Sequence, residues 1–391
     1  MRPIAIFIGL ALSGCAGSFT PHNQVRLEIG GPPIDASQTS QPFLYAIPRG
    51  TGGPGDGGLL AQSWSMLGRE DLGAASMSNE YAAVECEPVE GGPSGWDAVV
   101  DAIAARAEGH RVVIINESHA VTRHRQTARR LLSRLRAKGF THLAVETLTN
   151  VSEGAAPVDE HAGQAWPHQD DGFYSREPVF GRLIRDAKAL GYRLVPYEQV
   201  LDPAAPAVGG PRERIASREA AQASHLAAVL RTMSPDERLL VYVGYSHAKE
   251  IAEIDNAGQA TEWMAARLKA LTGIDPLTVA QTVCRHDGVD AFLAMPPAGL
   301  QAGLFDMIVS YPVETFVDNR PQWRRQEGDI AIAIPASLRP TDTPVVVEAF
   351  KWGEPIDAVP VDRVYVAPRE NIPLLLPPGR YHLRAVRMTR N

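Results

Sequence analysis

Beyond its first dozen residues the chain has no apolar run long enough to cross a bilayer, so any membrane contact is confined to the amino terminus. Cysteine is scarce: three in 391 residues, at most one pair once Cys15 is set aside. A chain of this length buries a core without such staples. Basic residues are outnumbered. Removing residues 1–14 takes away only Arg2 of 38 basic side chains, leaving 37 against 45 acidic ones and a net charge of −8, which argues against nucleic acid as a partner. The glycine-rich run at 49–58 has no strand ahead of it and no Lys-Ser or Lys-Thr behind it, so it is not a phosphate loop. A helical His-Glu-x-x-His is also missing, which excludes a thermolysin-like zinc site.

What is present begins with an address. Arg2, the apolar run from Ile4 to Leu12, and Leu12-Ser13-Gly14-Cys15 have the layout of a secretory signal. The last four resemble a bacterial lipobox, which implies cleavage after residue 14 and acylation of Cys15. Ala16 in the next position is compatible with the outer membrane, so the expected location is the cell envelope, lipid-anchored and facing the periplasm. In that oxidising compartment Cys86 and Cys284 could form one disulfide, or could remain two buried thiols.

Residues 15–93 are rich in Gly, Pro, Ser and Thr and read as a mostly flexible tether, with a short helix around Leu59 to Leu67. The ordered domain is expected from residue 94, where Ser94 and Asp97 look like a capping pair. Strands at 111–118, 142–147, 193–198, 238–246 and 276–283 then alternate with helices near 121–138, 176–190, 212–232 and 259–272. Such alternation predicts an α/β core over 94–325, with a mostly parallel central sheet flanked by helices. Phe305 to Tyr311 could add a last strand. From residue 326 to 391 short strand-like runs separated by proline-rich turns read as a small all-β appendage.

The organising stretch is Arg111 to His119, an apolar strand ending in Glu117 and His119 and leading into a basic amphipathic helix. Later apolar runs end the same way, at Glu146, at Glu198 and at His247. In a parallel sheet ligands bind at the carboxyl ends of the strands, so four strands deliver an acid or an imidazole to one edge. Two histidines with carboxylates suit a divalent transition metal such as Zn or Mn. The same set works without one, a carboxylate orienting a histidine that acts as general base on water. Spacing leaves both open. Arg214 and Arg218, one helical turn apart, could hold a substrate carboxylate or phosphate, or form a solvated face. The insertion at 150–174, with His161, His168, Asp170 and Asp171, could be a lid or a plain surface loop. His124 reads as a surface residue; His142 opens a strand at the opposite edge.

Asn116-Glu117-Ser118-His119, Glu146, Tyr197-Glu198, Arg218-Glu219 and Gly244-Tyr245-Ser246-His247 together resemble the ordered motifs of the erythromycin esterase / ChaN-like / TraB-Tiki superfamily. The resemblance covers about residues 110–285. It departs at Asn116, where the family has glycine. It implies an α/β core and one of three roles. The first is hydrolysis of an ester, lactone or amide with a histidine as general base; on this chain's own residues that reading takes Glu117, His119, Glu146 and His247 as catalytic and places Glu198, Arg214, Arg218 and Tyr245 on the substrate. The second is metal-dependent peptidase chemistry, with Glu117, His119, Glu146 and His247 holding the ion. The third is haem binding through His247 or Tyr245 without catalysis. A structural or partner-binding envelope protein is a further reading. The expected partner is a small-molecule or peptide substrate, with membrane contact through the lipid alone.

Overall fold

The computed structural model describes residues 24–50, 56–77, 84–150, 161, 163–200 and 209–389. The signal segment, Cys15, and residues 151–160 and 162 of the insertion lie outside the described residues.

The expected α/β alternation is present. Its strands are β2 (Val112–Glu117), β3 (Phe140–Val145), β4 (Arg193–Pro196), β5 (Arg238–Gly244), β6 (Leu277–His286), β7 (Phe292–Ala294) and β8 (Met307–Pro312). They form one seven-stranded sheet in the order β7-β8-β6-β2-β5-β3-β4. Every pairing is parallel except β7 with β8, which is antiparallel. β2 and β5 are apolar along their length because both sheet faces are covered: Val113, Ile115 and Tyr242 face one helical layer, and Val112, Ile114 and Val241 the other. The first layer holds α3 (Trp96–Arg106), α4 (Thr122–Arg136) and α5 (Pro178–Ala189); the second holds α6 (Pro211–Thr232) and α7 (Met264–Thr272). The chain leaves β2, runs outward to β3 and β4, returns to insert β5 beside β2, and then crosses to β6. That reversal makes a crevice at the carboxyl end of β2, where a ligand fits.

The β unit is larger than its expected bounds. β9 (Val345–Lys351) lies between β10 (Asp362–Val366) and β11 (Gly379–Arg387), antiparallel to both, and β1 (Val25–Ile29) closes the edge parallel to β11. Much of the expected tether is therefore structure. Val25 joins the core of the β unit, and Leu44 and Tyr45 are buried against Val346 and Val386. Low apolar density hid this stretch, because its few apolar residues insert into a core supplied by the far end of the chain. The expected helix near Leu59 is α1 (Asp56–Met66), followed by α2 (Glu70–Ser76). Ser94 does not cap α3: Gly95 is the N-cap residue, and Ser94 bridges to Phe292.

The two units join through buried ions. Arg182 on α5 donates to Asp329 at 2.9 Å and to the carbonyls of Val361 and Leu375. Arg320 and Arg324 both donate to Asp362 at 2.7 Å. Of the two readings for the cysteines, the disulfide is the one observed: Cys86 and Cys284 are bonded, Cα–Cα 5.7 Å, and tie the segment before α3 to β6. No helix among the described residues is long and apolar enough to cross a membrane.

Candidate functional site

Glu117 is the last residue of β2 and is buried, 2 % exposed. Such a carboxylate needs counter-charge or hydrogen bonds, and three groups engage it. Arg125, one turn into α4, donates its Nε to Oε2 at 2.8 Å; the Tyr242 hydroxyl donates to the same oxygen at 2.8 Å; His119 Nδ1 sits 2.9 Å from Oε1. Burial would raise the Glu117 pKa, but Arg125 and His119 outweigh it and hold it at about 2. With Nδ1 turned to this carboxylate, His119 presents Nε2 on the side of the ring away from Glu117. Nε2 has no hydrogen bond among the described residues, and the side chain is 13 % exposed. The ring is clamped between Tyr174, stacked at 3.9 Å and 17°, and Gly244. A Cβ on Gly244 would lie 2.5 Å from His119 Cε1, so this position has to be glycine.

A second dyad shares Glu146 as a neighbour with the first. His247 follows β5 on a short 3-10 turn, and its Nδ1 is 2.8 Å from Glu219 on α6, whose carboxylate also accepts the Met264 amide at 2.8 Å. His247 Nε2 lies between groups of opposite sign, 3.1 Å from Arg218 Nη1 and 3.4 Å from Glu146 Oε1. Burial and Arg218 oppose a positive imidazole, but Glu146 and Glu219 outweigh them, so the His247 pKa is raised. Glu146, one residue beyond β3, accepts the Gly244 amide at 2.6 Å and pairs with Arg218. Burial would raise its pKa as well; His247, His119 and Arg218 turn the balance and lower it. Arg218 is also paired with Glu198, its Nε at 3.0 Å, and is partly exposed at 36 %.

Asn116, next to Glu117 on β2, is fully buried and binds three neighbours. Its Nδ2 donates to the Tyr245 carbonyl at 2.7 Å and to Thr282, and its Oδ1 accepts the Gln281 amide at 2.6 Å. It thereby locks β2 to β6 and sets the turn that carries His247. That turn is strained: Tyr245 has φ 39°, a left-handed conformation costly for a non-glycine residue. Tyr245 OH meets the Ser118 hydroxyl at 3.1 Å. Both residues also line a cavity of about 560 Å³, together with Ser246, Gln281, Phe305 and Tyr311; Glu117, His119, Glu146, Arg218 and His247 are not among its lining residues.

Glu117, His119, Glu146, Glu198, Arg218, Tyr245 and His247 are thus brought to one edge. Arg214 is not: it is exposed, and its Nη1 donates to the Gly209 carbonyl. One turn along α6 carries it past the end of the sheet. His124, expected at the surface, is buried; its Nδ1 accepts the Ser118 amide at 3.0 Å, and burial pushes its pKa down to about 3. The structure adds Arg125, Glu177, Tyr174 and Tyr242 to the site, and it gives Glu219, in sequence only the partner of Arg218 in a motif, the role of holding His247. For Glu219 a signal existed: it precedes Gln222, Ala223 and Leu226 on the buried stripe of α6.

The donor set does not fit an ion shared by Glu117, His119, Glu146 and His247. Both Glu117 oxygens are engaged by Arg125, Tyr242 and His119, and the Arg218 guanidinium fills the space between Glu146, Glu198 and His247. Nor does it fit haem through His247, whose ring nitrogens face Glu219 on one side and Arg218 and Glu146 on the other. What the arrangement offers is an imidazole with an open nitrogen opposite an imidazole and a guanidinium of positive character, the layout of acid–base chemistry on a polarised bond.

No family model matches the chain, and no curated protein matches it. Among solved structures, the type III effector HopBA1 aligns at a TM-score of 0.36 and 14 % identity over 59 % of this chain and 98 % of that one. RRSP, a MARTX toxin effector domain from Vibrio vulnificus CMCP6, aligns at 0.34 and 19 % identity over 47 % of this chain and 36 % of that one. A structure described as bacterial protein toxins aligns at 0.33 and 15 % identity, over 58 % and 46 %. Likenesses at these TM-scores say nothing about activity.

Proposed function

We propose that the protein is a hydrolase that cleaves an ester, lactone or amide with its own side chains. The observation that carries this reading is the pair of carboxylate–histidine dyads, Glu117–His119 and Glu219–His247, with Glu146 acting on both histidines and paired with Arg218. His119 Nε2 takes a proton from water while the water oxygen bonds to the carbonyl carbon. The oxyanion that forms is stabilised by Arg218 and by the protonated His247. His247 then returns a proton to the leaving oxygen or nitrogen as that bond breaks, and His119 releases its own. Glu117 and Glu219 fix both rings; Glu146 and Glu198 hold Arg218. The neighbouring cavity, with Phe305 and Tyr311 in its wall, would take the body of a small-molecule or peptide substrate.

The expected location stands beside it as part of the proposal: acylation at Cys15, attachment to the envelope by that lipid, and no nucleic-acid partner. The Cys86–Cys284 bond suits an oxidising compartment. A Zn- or Mn-assisted form of the reaction, or haem binding, would need Glu117 and His247 to release partners they now hold.

The test is turnover of an ester, lactone and amide panel by the chelator-treated protein. His119→Ala should lower kcat by ~10²–10⁴, the usual share of a general base, with unchanged circular dichroism. Full activity in His119→Ala would sink the proposal; activity lost on chelation and restored by Zn or Mn would replace it with the metal-assisted form.

A further inference from the structure

A second cluster lies on the insertion, away from the dyads. His161, His168 and Asp171 place donor atoms within 4.8 Å of one another, the one such trio of His, Cys, Asp or Glu among the described residues. The imidazoles stack at 4.4 Å and 30°. Asp171 is buried, 8 % exposed; one of its oxygens meets His161 Nδ1 and the other accepts the His168 amide at 2.7 Å. A further carboxylate is at hand, because His168 Nε2 is 3.2 Å from Asp357 of the β unit. The other Asp357 oxygen, Oδ1, is shielded from solvent and has no hydrogen-bond partner among the described residues.

From this juxtaposition we propose that His161, His168 and Asp171 bind a divalent transition metal, zinc being the best match, with Asp357 as the nearest additional donor. Two imidazoles and a carboxylate are borderline-soft and hard donors in the ratio such ions take.

The consequence for the fold is a clip. Around His168 the loop is already laid on the β unit: Gln169 N donates to the Asp357 carbonyl and Val359 N to the Pro167 carbonyl, both at 2.9 Å. Just after Asp171 the chain bridges Gly172 to Leu148 and delivers Tyr174 onto His119. A metal here fastens the insertion to both units and steadies the ring stacked on His119. The site does not depend on the hydrolase reading.

The experiment is elemental analysis of the full chain after Zn²⁺ loading and gel filtration, with Co²⁺ absorption as a second readout, in wild type, His161→Ala, His168→Ala, His119→Ala and His247→Ala. The expected result is one metal per chain in wild type, His119→Ala and His247→Ala. In His161→Ala and His168→Ala affinity should fall by more than the 10- to 100-fold that loss of a mere outer-shell partner causes. Should an alanine variant fail to fold, His161→Gln and His168→Gln carry the test. No stoichiometric Zn²⁺ or Co²⁺ in wild type overturns the proposal, and so does metal that persists without His161 and His168 but leaves with His119 or His247.

Discussion

The carboxyl edge of the α/β sheet and the interior of the β unit both bury charge, and they do it differently. In the β unit Glu348 is fully buried and saturated: Tyr45 OH and Arg363 Nε meet Oε1 at 3.0 and 2.8 Å, and Arg384 Nη2 meets Oε2 at 2.6 Å. Glu348 and Arg363 have no exposed surface. At the sheet edge Glu117 is held as tightly, but the network ends on His119 Nε2, which has no partner among the described residues, and on a partly exposed Arg218. The β unit has an unused nitrogen too, Arg363 Nη2, but it is sealed in the interior, whereas His119 Nε2 belongs to a side chain 13 % exposed and can act on something else.

The comparison can be broken most drastically by deleting residues 326–391. That removes β9–β11 together with Asp329 and Asp362, leaving Arg182, Arg320 and Arg324 buried without counter-charge. Soluble, cooperatively folding protein is not expected, and a native-like melting transition from the truncated chain would show that the β unit is a separable appendage after all. A milder break is Glu348→Ala. It strands Arg363 in the interior and should cost about 3–5 kcal/mol in denaturant unfolding, while leaving KM and kcat of the surviving folded fraction unchanged. A change in kcat there would mean that the two networks communicate.

At the other network Gly244→Ala sharpens the contrast, because it should act on turnover rather than on stability. The added methyl meets His119 Cε1 at 2.5 Å, so the ring must move. A displacement near 1 Å can cost about 10²-fold in rate, and loss of the Tyr174–His119 stacking in a structure of the variant would confirm the cause. The last test is a pH dependence. Glu117 has a folded pKa of about 2, below its ordinary 4.5, so the folded state binds fewer protons than the unfolded one. Its contribution to stability is present in full above pH 4.5 and is lost as pH falls towards 2. Unfolding titrations of wild type and Glu117→Gln at stepped pH should converge over that window; parallel curves would show that Glu117 is not the ionised centre of the network.

Much of the site was legible because parallel strands place the residue after each apolar run at one edge, whatever the packing. Glu117, Glu146 and His247 needed only that rule. Arg125 was not legible. It sits in a run of surface-like basic residues and is buried because Glu117 and Glu177 are folded against it, Glu177 lying 52 positions further along the chain. Tyr174 was hidden for a similar reason, since its stacking on His119 follows from how the insertion returns to β3.

Periodicity and residue order by themselves determined the α/β core, the strand ends and the identities of the two histidines, because those depend on local geometry and on burial of apolar faces. Only tertiary structure decided the rest. It turned residues 24–50 into an edge of the β unit, gave each histidine its own carboxylate, put a guanidinium where a shared ion could have been, and closed Cys86 on Cys284. Each of these is a contact between distant segments, made only where neighbouring charge and shape complete what one segment leaves unsatisfied.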